Sequence, residues 1–140
     1  MANNYLALLK AVITVVREFN TEERKAAREA AKAALKPENP PRIERLRGLG
    51  VDVDWISSPV PVSAEGTVDG EPFHFRARGA SWKLMIGPKD LWFTDGAWTY
   101  GRDYGVWPEA GWMEEHEALE FIEEGVRAWL AEQYQAAREW

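Results

Sequence analysis

Histidine, the side chain best suited to proton transfer at neutral pH and to metal binding, occurs only twice, as His74 and His116, and cysteine is absent. Thiolate nucleophiles, Cys-ligated zinc or iron–sulfur sites and a disulfide framework are therefore excluded. His74 lies in FHFRAR, where strand alternation turns Phe73, Phe75 and Ala77 toward a core and leaves His74, Arg76 and Arg78 on the other face. Lys83 extends that row across a turn at Gly79-Ala80. Guanidinium groups in such a row suit a carboxylate or another anion, so His74, Arg76, Arg78 and Lys83 form one candidate anion site; a solvated face paired with an acidic helix is the simpler account. His116 stands one helical turn before Glu120, but a metal site needs a further ligand of suitable geometry and no second histidine lies nearby. No metal and no cofactor is expected. HExxH, GxSxG, P-loop and GxGxxG motifs are absent. Asp90, Asp95, Asp103 and Glu109 surround an aromatic stretch, the raw material of a two-carboxylate hydrolase. Asp95 is better explained by a turn, so this enzyme reading ranks below binding.

Two further features could recognise a partner. WFTDGAWTYGRDYGVW, residues 92–107, holds three of the eight tryptophans, two tyrosines and a phenylalanine. Its first half alternates around Asp95-Gly96 and predicts a hairpin whose rings serve the core. Its second half continues into GRDYGVWPEAGW with no clean period, and predicts a loop in which Tyr104 and Trp107, with Arg102 and Asp103, act as anchors; large rings give much contact area for few rotatable bonds. The same rings would also suit a loop folded back over the core. The second feature is a run of seven glutamates between 109 and 124 with no Lys or Arg among them. Glu114, Glu115, Glu117, Glu120 and Glu124 from this run are candidate partner contacts, an acidic surface that would steer association with a basic groove on a nucleic-acid-handling protein. A solvated helix face needs no partner at all.

The elements that would carry these residues follow from hydrophobic period. Leu6, Leu9, Val12, Ile13, Val16 and Phe19 recur at helical spacing, and an Ala-rich second helix runs from about Thr21 to Leu35, so residues 1–35 predict a helical hairpin. KPENPP ends it, and 36–50 read as a connector with one short helical turn. From Val51 the period becomes two: VDVDWI, AEGTV, EPFHFRAR, SWKLMIG, LWFT and AWTYG predict an antiparallel meander of four to six strands over 51–101. An aromatic loop covers 102–111 and a C-terminal acidic helix 112–138. The fold class is α+β, a single domain over 1–140, with helices covering one sheet face.

Composition bounds the rest. A chain of 140 residues with 46% hydrophobic and 29% charged residues is an ordinary single globule. Net charge is −6, distributed as ten Lys/Arg against six Asp/Glu over residues 1–50 and two against nine over 109–140. That balance argues against direct binding to nucleic acid, which rests on concentrated positive charge. The apolar start lacks a basic segment ahead of it and a cleavage site behind it, no run reaches spanning length, and a cytoplasmic location away from membranes is expected. The alanine face of the second helix leaves a homodimer open.

VDGEPFHFRARGASWKLMIG, residues 68–87, resembles a strand-turn-strand segment of small uncharacterised bacterial proteins, which implies a hairpin and no activity. In size, acidity and α+β build the chain is also similar to the small inhibitors of phage and bacterial conflict, anti-CRISPR and immunity proteins among them. The favoured expectation is a non-catalytic protein-binding module, a small acidic inhibitor of a bacterial or phage-defence protein. The alternative is a small-ligand or glycan-binding module using the aromatic hairpin.

Overall fold

The prolines after Lys36 open a helix as well as closing one. The structure, a computed structural model, describes residues 22–26, 28 and 36–139, and Pro40 and Pro41 sit in the first turn of α1, Asn39–Gly48. There a proline has no intrahelical N–H bond to lose, and its fixed φ already suits the helix. Residues 39–48 are therefore a ten-residue helix, not one short turn inside a connector. The helical hairpin expected over 1–35 lies outside the described residues, apart from 22–26 and 28, which are helical.

The alternating segment forms a five-stranded antiparallel sheet in the order β1-β2-β3-β4-β5: β1 Val51–Ser57, β2 Val62–Val68, β3 Glu71–Arg78, β4 Ser81–Ile86 and β5 Trp98–Asp103. The β2–β3 hairpin turns on Asp69 and Gly70, both with positive φ (49° and 83°), the backbone that a two-residue type I′ turn demands. In β3, Phe73, Phe75 and Ala77 are buried while Glu71 and Arg78 at the strand ends are exposed. Ala64 and Val68 of β2, Trp82 and Leu84 of β4, and Leu119, Ile122 and Val126 of the last helix complete the same core with Leu46 of α1. That last helix, α2, Glu115–Arg138, starts with a capping box between Glu114 and Glu117 and places acidic residues at its positive end. It packs on the sheet, so the fold is α+β.

Three expectations about the strands are corrected. In β1, the register slips between Val53 and Trp55, a bulge that leaves Asp54 as the extra residue and reverses the alternation beyond it. Ile56 therefore enters the core opposite Ala64, while Trp55 turns outward opposite Glu65. Asp95-Gly96 is not a hairpin turn, and LWFT is not a strand: β4 pairs directly with β5 from Ile86↔Trp98 to Ser81↔Asp103. A two-residue turn preference is local, whereas the edge of β4 is satisfied by a full six-residue ladder with WTYGRD. Residues 87–97 form a long connection instead, with a short 3-10 helix, Lys89–Leu91, and fold back over the outer sheet face. Arg102 and Asp103 consequently belong to β5, the loop after it leads into a second 3-10 helix, Glu109–Trp112, and α2 begins at Glu115 rather than Trp112.

Candidate functional site

An antiparallel meander brings alternate connections to one end of the sheet, here the β1–β2 loop with Val60, the β3–β4 turn at Gly79, and the segment 104–112 after β5. Backbone bonds stitch that segment across the end: Tyr104 N–H donates to Ala80 O (2.7 Å) and Ala110 N–H to Gly79 O (3.0 Å). Ala110, within the second 3-10 helix, is buried. Trp107 lies over Gly79, where a Cβ would come within 3.3 Å of its Cδ1 and where φ is +67°. The turn and the ring both select glycine at that position. Trp107 remains 77% exposed, Val106 67%, Trp112 63% and Val60 51%. Gly111 lies against Val60, which ties the β1–β2 loop to the 3-10 helix. The rim of this apolar end carries Asp103, Glu109 and Glu114, all exposed.

Tyr104 does not share the exposure expected of an anchor. Its ring meets Phe121 edge-on at 5.9 Å and its hydroxyl donates to Glu117 at 2.9 Å. Burial, reinforced by the Glu117 carboxylate, pushes the phenol up to about 12. Half-buried, it covers the core, whereas Trp107 three residues on does not.

The glutamate run of α2 is largely answered from within the fold. Glu120 pairs with Arg42 at 2.8 Å and Glu123 with Arg45 at 2.6 Å, a ladder between α1 and α2. Glu123 also takes Arg127 at 3.0 Å. Burial works to raise its pKa, but the bonds from Arg45 and Arg127 prevail and lower it. Glu124 accepts from the Tyr100 hydroxyl (3.0 Å) and pairs with Arg102 (2.7 Å). Glu115 is only 6% exposed; it holds Lys36 at 2.6 Å, accepts from Asn39 Nδ2 at 3.2 Å and takes the Ser58 hydroxyl. Arg102, Glu117, Glu120 and Glu124 are thus brought together as contacts of the fold, and Glu115 is withdrawn from the surface. Of the residues singled out as partner contacts, Asp103 and Trp107 remain outside such pairs, and Glu114, though exposed, is tied to Glu117 by the capping box. Val60, Val106 and Trp112 join them; the tryptophan was visible in the sequence, the two valines were not.

On the opposite face of the sheet, His74 separates from the cations beside it. It exchanges a hydrogen bond with Glu65 (3.1 Å) and lies near the rings of Trp92 and Phe93, at 5.3 and 5.2 Å. Arg76 stands opposite Lys83, and Arg78 opposite Ser81. A cleft of about 580 Å³ lies beside β1 and β2, bounded by Trp55, Ser63, Lys89, Glu22, Lys25 and Ala26. Asp54 in it has its pKa raised by burial against the opposing pull of Lys89. His116 bonds Glu38 at 2.5 Å rather than Glu120. Among the described residues no group of three His, Asp or Glu is placed to hold a metal, and no helix is long and apolar enough to cross a membrane.

Comparison of the chain with family models, with curated proteins and with solved structures finds no match.

Proposed function

We propose that the chain is a non-catalytic protein-binding module whose contact surface is the apolar end of the sheet centred on Trp107. The observation that carries this reading is the exposure of Trp107, Val106, Trp112 and Val60 on connections that converge at one end. Single exposed apolar residues are ordinary, but a group of them including two tryptophans costs free energy in water and marks an interaction surface. Tryptophan in the centre of such a patch is the residue type most often dominant in binding energy. Backbone bonds from Tyr104 and Ala110 hold the loop in place, so little ordering is left to do on association.

The rim selects the partner's chemistry. Asp103, Glu109 and Glu114 surround the rings, and the chain as a whole carries −6, so the complementary surface is an apolar pocket bordered by Lys and Arg. A protein that handles nucleic acid has such a groove, and occupying it would make this module an inhibitor. That places the reading in the class of small acidic inhibitors of bacterial or phage-defence proteins. The role assigned to the glutamates moves accordingly, from a free acidic helix face to a narrower acidic border.

The test is affinity capture from the native host with the wild-type chain and with a Trp107→Ala/Trp112→Ala variant, at two salt concentrations. A stoichiometric basic protein retained by the wild type and lost with the variant is the expected result. Recovery of no stoichiometric partner, or of one held equally by both chains, overturns the proposal.

A further inference from the structure

The outer sheet face carries a charge arrangement that folding does not explain. Arg76 and Lys83 are direct cross-strand neighbours in the β3–β4 ladder, with Arg78 one step along on the same face. Like charges directly opposite each other destabilise a sheet. Elsewhere Lys36, Arg42, Arg45, Arg47, Arg102 and Arg127 each have a carboxylate partner. Among the described residues Arg76, Arg78 and Lys83 have none; Lys89 and Arg138 also lack one but lie over the rings of Trp92 and Tyr134, whereas these three stand together on one ladder.

A second, independent feature stands over these cations. Phe93 adopts φ +64°, a left-handed backbone that a bulky side chain occupies only at a cost and that concentrates at ligand clamps. Its backbone N–H is held by Met85 Sδ at 3.2 Å, and its ring, 62% exposed, has Arg76 Cζ 6.0 Å from the centroid. Two clefts share Phe93, Met85 and Lys83: one of about 230 Å³ bordered by Arg76, Arg78 and Ser81, and one of about 430 Å³ on the side of Thr94 and Thr99.

We infer that this face binds a small phosphomonoester bearing a flat apolar group, a molecule with the build of a nucleoside monophosphate. Two guanidinium groups and an ammonium converge where a phosphate's charge would relieve their repulsion, and guanidinium matches phosphate oxygens in pairs. The exposed Phe93 ring supplies an apolar surface for a planar ring, held from below by buried Met85, whose sulfur accepts the Phe93 N–H. The cleft of about 430 Å³ is of the size that small ligands occupy, and the smaller one opens beside it across Lys83, Met85 and Phe93. A nucleic-acid strand is disfavoured because the cationic stretch spans three residues and is bounded by Asp95 and Asp103, too short for a strand-tracking groove. The site adjoins the Trp107 surface at Arg78, Gly79 and Asp103, but Trp107 does not line it.

Titration of the full chain, followed by amide chemical shifts and by calorimetry at low salt, tests it with inorganic phosphate, adenosine, adenosine monophosphate and a single-stranded oligonucleotide as probes. The monophosphate is expected to shift amides of β3, β4 and Phe93 and to bind at least about fivefold more tightly than phosphate or adenosine alone. Arg76→Gln lowers its affinity about tenfold or more, Phe93→Ala reduces it to that of phosphate, and Trp107→Ala leaves it unchanged. Absence of shifts with both phosphate and the monophosphate, equal binding of adenosine, or insensitivity to Arg76→Gln overturns the inference. Tighter oligonucleotide binding with a salt dependence of several charges does so in favour of a nucleic-acid surface. Loss of Trp107-dependent protein capture bears only on the other site.

Discussion

Arg76 and Lys83 face each other across the β3–β4 ladder, and among the described residues neither has a carboxylate partner. The contact is repulsive, by roughly 0.2–1 kcal/mol. Lys83→Gln is therefore expected to leave the melting temperature unchanged or raise it by about 2–4 °C at low salt, and Lys83→Glu to raise it further. A fall of several degrees in calorimetric melts of Lys83→Gln would show that the lysine supports the fold.

Trp107 and Tyr104 divide one loop between two roles. Trp107→Ala removes an exposed ring and should change urea-unfolding stability by no more than about 0.5 kcal/mol, while abolishing partner capture. Tyr104→Phe removes the hydroxyl bonded to Glu117 and should cost about 1 kcal/mol. The reverse order of stabilities would mean that Trp107 is a core residue.

Tyr104 also gives the fold an alkaline limit. Its phenol is raised to about 12 in the folded chain, against about 10 when unfolded. The stabilisation this represents is complete below pH about 10 and disappears as pH rises through about 12. The difference in ultraviolet titration between wild type and Tyr104→Phe should isolate one phenol ionising near that upper value; a difference titrating near 10 would contradict it.

Gly66 is fixed by contact rather than by backbone angle. A Cβ there would lie 1.9 Å from the carbonyl oxygen of Asp52 and 2.8 Å from Phe73 Cε2, beside the β1 bulge. Gly66→Ala should cost about 3 kcal/mol or prevent folding. Gly48→Ala, with nothing within 4 Å of the new methyl, is the control and should be neutral or mildly stabilising.

Glu115 joins the start of α2 to the start of α1 and to the β1–β2 loop through Lys36, Asn39 and Ser58. Deleting one partner of a buried, hydrogen-bonded charge is expensive. Glu115→Ala should lower stability by at least about 2 kcal/mol, measured by chemical denaturation, whereas Glu114→Gln should change it by less than half as much.

Much of the architecture could be read in advance because it depends on short-range pattern. Phe73, Phe75 and Ala77 alternate with His74, Arg76 and Arg78, and the period of two assigns them to opposite faces whatever the neighbouring strands are. Asp69-Gly70 forms its turn because the strands on either side pair with each other; Asp95-Gly96 does not, because β4 takes a later partner. The bulge at Asp54 was equally hidden, since an extra residue in one strand has meaning only against the register of another.

The candidate surfaces divide along the same line. Residue order alone established the helix and strand periods, the charge of each segment, the lack of cysteine in the 140 residues and the clustering of aromatic residues. Which charges are answered was decided by tertiary structure: Arg42 and Arg45 reach Glu120 and Glu123 from 78 positions away, while Arg76 and Lys83 meet each other instead. Which rings face water was decided there too, Tyr104 folding onto Phe121 and Trp107 stopping on Gly79. Ion pairing and burial fall off over a few ångströms in space, and distance along the chain carries no information about that separation until the chain has folded.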